Sequence, residues 1–229
     1  MNRPTHLFFD VNETLIDIAP LRRSVADQLG GGGGQADRWF NGLIEHSLAE
    51  TLVGDPAGFS EIAASVLAMQ VAEGGGSLAL EEAKRIVTEG LKRSDAFADA
   101  APGLERLKDA GFTLVALTNS GEDGLQERLE NAGIAQYFYR ALSVQPAGAY
   151  KPDRRCYEHG LSEVGARAGS SMMVACHPWD LIGAHAAGMQ TAFVERPGKA
   201  WYPLAEAPTL SVGNIETLAQ RLANQEDYA

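Results

Sequence analysis

His6-Leu7-Phe8-Phe9-Asp10-Val11-Asn12-Glu13-Thr14-Leu15 is an apolar run that ends on an aspartate and passes into a polar turn. The run, Leu7 to Val11, reads as a buried parallel strand, since a sheet covered on both faces calls for short, continuous apolar stretches bounded by turn residues. An aspartate at the carboxyl end of the first strand of an open α/β sheet lies in the crevice above the strand ends, where such sheets place their ligands. Asp10 is therefore a candidate nucleophile. The residue two positions on is Asn12, an amide and not a second carboxylate.

Outward from that strand, apolar runs recur at Phe112 to Leu117, Tyr139 to Val144, Ser171 to Cys176 and Thr191 to Val194. Between them lie amphipathic stretches such as Gly103 to Gly111 and Gly124 to Gly133, each closing on a glycine suited to end a helix. This alternation predicts an α/β fold with a Rossmann-like parallel sheet covered by helices on both faces. The interval 16–100 breaks the rhythm, being helical in pattern with interruptions at Gly30 to Gly34 and Gly74 to Gly76. It predicts an inserted all-helical cap domain, with the α/β core formed by 1–15 and 101–229. The glycine run reads as a flexible loop, because a phosphate loop needs a preceding strand and a following Lys-Ser/Thr, whereas Gln35 and Ala36 follow here. The tail from Gln225 to Ala229 is expected to fray.

A chain of 229 residues, 45% hydrophobic and 21% charged, suffices for one core and a smaller appended one. Its formal net charge of -11 argues against nucleic acid and against anionic membrane as partners, both of which need clustered Lys and Arg. Cys156 and Cys176 lack metal-type spacing and are too few for a disulfide framework, so a reducing cytoplasm is the expected location. There is no signal-like start, and no apolar run approaches membrane-spanning length.

An Asp-x-x-x-Thr at a strand end is weak by itself, because aspartates cap turns and threonines cap helices routinely. Order along the chain adds weight. Leu117-Thr118-Asn119-Ser120 follows the second strand, then comes Tyr150-Lys151-Pro152-Asp153, and Ala175-Cys176-His177-Pro178-Trp179-Asp180 follows the fourth strand. This succession resembles the haloacid dehalogenase superfamily, whose motifs are a nucleophilic Asp, a Ser or Thr after the second strand, a Lys, and an acidic cluster after the fourth. The resemblance covers Thr5 to Val11 and Ala101 to Val194.

Phosphatases of that superfamily carry a second Asp two residues after the nucleophile and acidic residues in the last motif that hold magnesium. Here those places are Asn12, Cys176 and His177, with only Asp180 acidic. A hard cation wants several oxygen ligands, so no metal is expected. The pattern is similar to the L-2-haloacid dehalogenase branch, which works without metal or organic cofactor. That resemblance implies hydrolytic dehalogenation of a short 2-haloacid, such as haloacetate or L-2-halopropionate, to the 2-hydroxyacid. Asp10 would displace halide and form an ester that water then cleaves, so that an L-substrate gives a D-product.

The same resemblance assigns Lys151 to keeping the nucleophile ionised. Thr118 and the backbone amides of Val11 and Asn12 would hold the substrate carboxylate, and Asn119 would solvate the departing halide. Thr14, Tyr157 and Asp180 are expected in supporting roles. Two departures matter. Ala175 and His177 stand where serine and asparagine are usual, and Phe40 stands where the branch has a cap arginine that receives the halide, beside a matching Trp39. Arg38 lies close in sequence but on another face of its helix. Trp39 and Phe40, with Phe59, are expected to line a more apolar pocket on the cap side. Glu13 and His177 are expected to form a carboxylate-imidazole dyad in which His177 takes a proton from the water attacking the Asp10 ester. A magnesium-dependent small-molecule phosphatase and a non-catalytic ligand-binding protein of the same fold stay open as alternatives. The resemblance also admits a homodimer, although no contiguous apolar stripe marks its interface.

Overall fold

The computed structural model describes residues 3–224, and the expectation of a frayed Gln225–Ala229 tail lies outside them. The chain opens with β1 (His6–Phe9), passes through α1 (Ala19–Gln28), α2 (Gly33–Val53), α3 (Phe59–Glu73), α4 (Leu80–Lys92) and α5 (Ala100–Asp109), and returns to the sheet as β2 (Thr113–Thr118). There follow α6 (Leu125–Asn131), β3 (Arg140–Ser143), α7 (Arg154–Glu163), β4 (Ser171–Ala175), α8 (Pro178–Ala186), β5 (Gln190–Val194), β6 (Leu210–Val212) and α9 (Ile215–Ala223). All strand pairs are parallel, in the order β3-β2-β1-β4-β5-β6.

Strand order reverses at β1, which pairs with β2 on one side and β4 on the other. Such a switch point opens a crevice above the carboxyl ends of the strands. Asp10 follows β1 directly, and its backbone N–H still donates to Val174 of β4. Leu7, Phe8 and Phe9 are wholly buried, as a central strand covered on both faces requires. Helices α5 and α6 end as the sequence pattern predicts, with Gly111 and Gly133 just beyond them in the left-handed region, at φ of 86° and 68°.

The structure departs from the sequence expectations in detail. The first strand stops at Phe9, and Val11 instead closes a turn by accepting the N–H groups of Leu15 and Ile16. β6 was not anticipated, because three residues carry too little periodicity to register. Only Gly30, Gly31 and Gly32 form the glycine loop, with φ between 85° and 96°, while Gly33 and Gly34 begin α2.

Helices α1 to α4 lie between β1 and β2 in the chain and pack on one another, α3 on α4 and α1 on both α2 and α4. The two connections to the sheet run side by side as a short antiparallel bridge between Ile16 and Ala96, flanked by Asp17 N–H to Asp95 O and Phe97 N–H to Leu15 O. Among the described residues no helix is long and apolar enough to cross a membrane.

Candidate active site

The turn after β1 is closed by its own backbone, with Glu13 N–H donating to Ile16 O at 2.8 Å. Glu13 has φ of 61°, a left-handed conformation uncommon outside glycine. Arg196, arriving from beyond β5, grips the same turn by donating from Nε and Nη2 to the Thr14 carbonyl, while its Nη1 pairs with Asp99. A turn held this firmly fixes where its carboxylates point.

Asp10 is buried, and each of its oxygens has a partner. Lys151 Nζ stands 3.4 Å from Oδ1; Thr14 Oγ1 donates to Oδ2 at 2.7 Å, and His177 Nδ1 stands 3.3 Å from that same oxygen. Burial works to raise the Asp10 carboxyl pKa, but the charge of Lys151, the bond and charge of His177 and the Thr14 bond outweigh it and bring it to about 2. The nucleophile candidate is thus an ionised carboxylate in a nearly dry site.

Lys151, wholly buried, donates to Asp180 at 2.9 Å and to the Leu117 carbonyl at 2.6 Å. Burial disfavours its charge, yet Asp180 and Asp10 hold its pKa above the ordinary lysine value. Asp180 spends its other oxygen on the Tyr157 hydroxyl at 2.6 Å. The superfamily's magnesium does not suit this donor set: position 12 is an amide, and both Asp180 oxygens already face donors. Among the described residues no three His, Cys, Asp or Glu are grouped to hold a metal ion.

His177 joins the rim from the start of α8. Its Nε2 lies 2.9 Å from Glu13 Oε2, so the ring bridges Glu13 and Asp10. Phe40 of α2 stacks on it with ring centroids 5.6 Å apart, and Trp179 stacks on it at 5.1 Å. Burial pulls the imidazole pKa down, but the neighbouring Cys176 and the hydrogen bonds to Asp10, Cys176 and Glu13 hold it well above the usual value. Glu13 also takes Lys199 Nζ at 2.6 Å and Arg22 Nη1 at 2.7 Å. Against its burial, His177 and Lys199 bring its pKa to about 2.

The remaining residues singled out from sequence divide by what they touch. Asn119 accepts from the Lys151 backbone N–H at 3.0 Å, leaving its buried Nδ2 unpartnered. Asn12 donates to Ser120 Oγ at 3.3 Å, and its Oδ1 is buried without a partner. Thr118 is wholly buried and accepts the Ser120 N–H at 3.2 Å, and Val11 is core. Thr14 joins the two motif strands, donating to Asp10 while accepting the Cys176 N–H at 3.0 Å. Trp39 anchors α2 to α3 by donating to the Ala63 carbonyl at 3.0 Å. Arg38 is exposed and pairs with Glu73, away from the site.

A cavity of about 530 Å³ lies between the helices α1 to α4 and the loop after β2. Asn12, Phe40 and Ser120 line it and so join it to the Asp10 group; Trp39, Leu43 and Phe59 form much of its apolar wall. Arg22, Lys199, Arg196 and Arg128 were not singled out from sequence. Each is one basic residue among 19 Lys and Arg, and no local motif sets it apart.

A family profile described as haloacid dehalogenase-like hydrolase matches residues 4–188. Haloacetate dehalogenase H-2 of Moraxella sp. (strain B) is 27% identical, over 97% of this chain and 100% of that protein. (S)-2-haloacid dehalogenase 1 of Pseudomonas sp. (strain CBS-3) is 28% identical, over 83% of this chain and 84% of its own length. The solved L-2-haloacid dehalogenase of Xanthobacter autotrophicus superposes with a TM-score of 0.86 at 24% identity, covering 97% of this chain and 99% of that one. With a profile match that spans most of its length and a sheet, strand-end aspartate and lysine arranged as described, the chain belongs to the haloacid dehalogenase-like hydrolase family.

Proposed function

We propose that this protein hydrolyses short 2-haloacids, haloacetate and L-2-halopropionate, to 2-hydroxyacids through an ester on Asp10. The observation that carries the reading is the environment of Asp10: a buried, ionised carboxylate next to Lys151 and His177, with an amide at position 12 where a phosphatase acid would stand. In the first step Asp10 attacks C2, the carbon-halogen bond breaks, and halide leaves with the bonding pair. Back-side attack inverts C2. Water then adds to the Asp10 carboxyl carbon, so the ester oxygen stays with the product and an L-substrate gives a D-hydroxyacid.

His177 changes character between the steps. In the resting site it lies between two carboxylates, which favour the imidazolium. Esterification removes the charge of Asp10 and weakens the hold on the Nδ1 proton, which is released to solvent; the neutral ring then accepts a proton from the attacking water at Nδ1 while Glu13 orients Nε2. Lys151 keeps Asp10 ionised, and Asn119 Nδ2 is a free buried donor suited to a departing halide. Thr118 and the amides of Val11 and Asn12 hold the substrate carboxylate in this reading, with Trp39 and Phe40 on the apolar side; Thr14, Tyr157 and Asp180 support the nucleophile and lysine. No metal or organic cofactor takes part.

The helical segment 16–100 acts in this scheme as a cap over the core of 1–15 and 101–229, and keeps bulk water from the ester until it has formed. Two free, buried cysteines accord with a reducing cytoplasm, and a homodimer is the assembly that the family resemblance admits. Intact mass spectrometry after brief exposure to chloroacetate tests the chemistry. An adduct on Asp10 in a His177 variant, with halide release by the unsubstituted protein, is the expected result. No adduct and no halide release would overturn the reading, and magnesium-dependent cleavage of a phosphate ester would replace it.

A further inference from the structure

Arg128 on α6 is a half-buried cation that makes no ion pair among the described residues. Its Nη1 reaches Ser120 Oγ at 3.4 Å, while Nε and Nη2 are buried and have no hydrogen-bond partner. It lines the cavity of about 530 Å³ together with Asn12, Ser120 and Phe40. Asp123 and Glu127, which line the same cavity, are exposed and make no ion pair with it. Burial brings its pKa down to about 10, opposed by the charge of Asp10, so the guanidinium is still cationic at neutral pH. Asp10 is nevertheless no hydrogen-bonding partner, because its oxygens face Lys151, Thr14 and His177.

Two buried donors left unmet on a charged group are costly, and such groups call for a partner, be it a ligand, an ion or water. Which donors are free narrows the ligand. Nε–H and Nη2–H lie on one edge of the guanidinium plane and point in parallel, the geometry that matches the two oxygens of a carboxylate. A spherical halide has no use for a fork. Thr118, which the family resemblance assigns to the carboxylate, accepts the Ser120 N–H and has a single neutral O–H to donate, so a charged fork would add to its hold.

We propose that Arg128 is a further carboxylate-binding residue of this site, adding to Thr118 and the backbone amides a side-on clamp through Nε and Nη2 from the cavity wall. The role deepens the 2-haloacid reading, on which it rests for the identity of the substrate. It ties specificity to a core helix and not to the cap. Arg38, the cap arginine nearest in sequence to the usual halide position, is exposed and paired elsewhere.

The test is calorimetric titration with glycolate, a carboxylate product of the expected reaction, and with its neutral counterpart glycolamide. Unsubstituted protein, Arg128→Gln, Arg128→Lys and the charge-matched control Arg38→Gln are compared, alongside KM for chloroacetate. A charged, bidentate contact predicts that Arg128→Gln weakens glycolate by about tenfold or more and raises KM similarly, with glycolamide unmoved. Arg128→Lys keeps the charge and loses the fork, so it should recover only part of the affinity. Should Arg128→Gln not fold, Arg128→Lys carries the test, and glycolate binding equal to the unsubstituted protein overturns the clamp. Glycolate affinity within twofold in a folded Arg128→Gln overturns it too, as does a loss confined to bromide binding, which would assign Arg128 to the halide. Normal haloacid turnover with unmoved KM removes the clamp and leaves the dehalogenase reading standing. Arg128-dependent glycolate binding without halide release from any haloacid does the reverse.

Discussion

Nε2 of His177 lies 2.9 Å from Oε2 of Glu13, across 164 positions of sequence. The contact is made by the turn after β1 and the first residues before α8, which parallel pairing of β1 with β4 brings to the same edge of the sheet. Since Nδ1 of the same ring faces Asp10, the imidazole links Asp10 to a second carboxylate, itself held by Lys199 and Arg22. In the proposed reaction, that arrangement would let one group serve the two half-reactions differently.

His177→Ala should therefore separate those half-reactions. Asp10 keeps Lys151 and Thr14 and still attacks, whereas the ester loses its base, so steady-state turnover should fall by about 10²- to 10⁴-fold. Intact mass spectrometry should find the Asp10 adduct accumulated. Turnover at the normal rate with no trapped adduct would remove His177 from the mechanism.

Acidification should have the same separating effect in the unsubstituted protein. With its carboxyl pKa at about 2, Asp10 stays ionised on going from neutral pH to about pH 4, and ester formation should hardly change. Hydrolysis needs the neutral imidazole, which acid suppresses. Rapid-quench measurements should show burst formation of ester persisting while its decay slows. A parallel decline of both rates would contradict this.

Stability should carry its own signature from His177. Its folded-state pKa lies above the unfolded value near 6.5, so its contribution is complete below about pH 6.5 and disappears as pH rises through the folded pKa. Glu13 behaves oppositely, stabilising above its unfolded value near 4.5 and losing that contribution as pH falls toward about 2. The melting-temperature gap between the unsubstituted protein and His177→Gln should be widest around pH 5 to 6 and narrow in alkali. A gap independent of pH would mean that the ring contributes only by packing.

Asp180→Ala should damage the fold as well as the reaction. It takes from the wholly buried Lys151 its closer carboxylate, leaving Asp10 at 3.4 Å and the Leu117 carbonyl, and takes from the Tyr157 hydroxyl one of its two acceptors; breaking one side of a buried ion pair costs about 3–5 kcal/mol. Urea unfolding should register the loss. A variant as stable as the parent would show that Lys151 discharges or reaches water more easily than its burial indicates.

Gly183→Ala probes how tightly α8 is seated on the lysine loop. An added methyl would lie 2.5 Å from the Pro152 carbonyl oxygen and 2.7 Å from the Tyr157 hydroxyl, overpacking that costs about 1–3 kcal/mol. For a chain of this length each kcal/mol lowers Tm by about 2–4 °C. Gly169→Ala, where a methyl meets nothing within 4 Å, is the control and should melt near the parent.

Much of this architecture is legible in the sequence. Strands β1, β2, β4 and β5 write themselves as apolar runs because they are covered on both faces, and the glycines after α5 and α6 mark the helix ends. β6 left no such mark in three residues, and Gly33 and Gly34 entered α2 despite their poor helix propensity, since a helix of 21 residues packed on its neighbours outweighs two weak positions. Phe40 was expected on a pocket wall, and it does line the cavity; its stacking on His177 depends on how α2 sits over the sheet and had no local signal.

The sequence by itself determined the parts: an aspartate at a strand end, an amide where a phosphatase would place its acid, a lysine, and a histidine in the last motif. These are local facts, encoded by periodicity and by residue type at fixed places in a repeating strand-helix pattern. Only the tertiary structure decided which charges meet. Lys199 and Arg22 converge on Glu13, Arg196 locks the Thr14 carbonyl, and Arg128 is left half-buried with two buried donors unpartnered. Long basic side chains look alike in sequence whether they stand on a helix, as Arg22 and Arg128 do, or in a loop, as Arg196 and Lys199 do, and what each one pairs with depends on the packing of elements far apart in the chain.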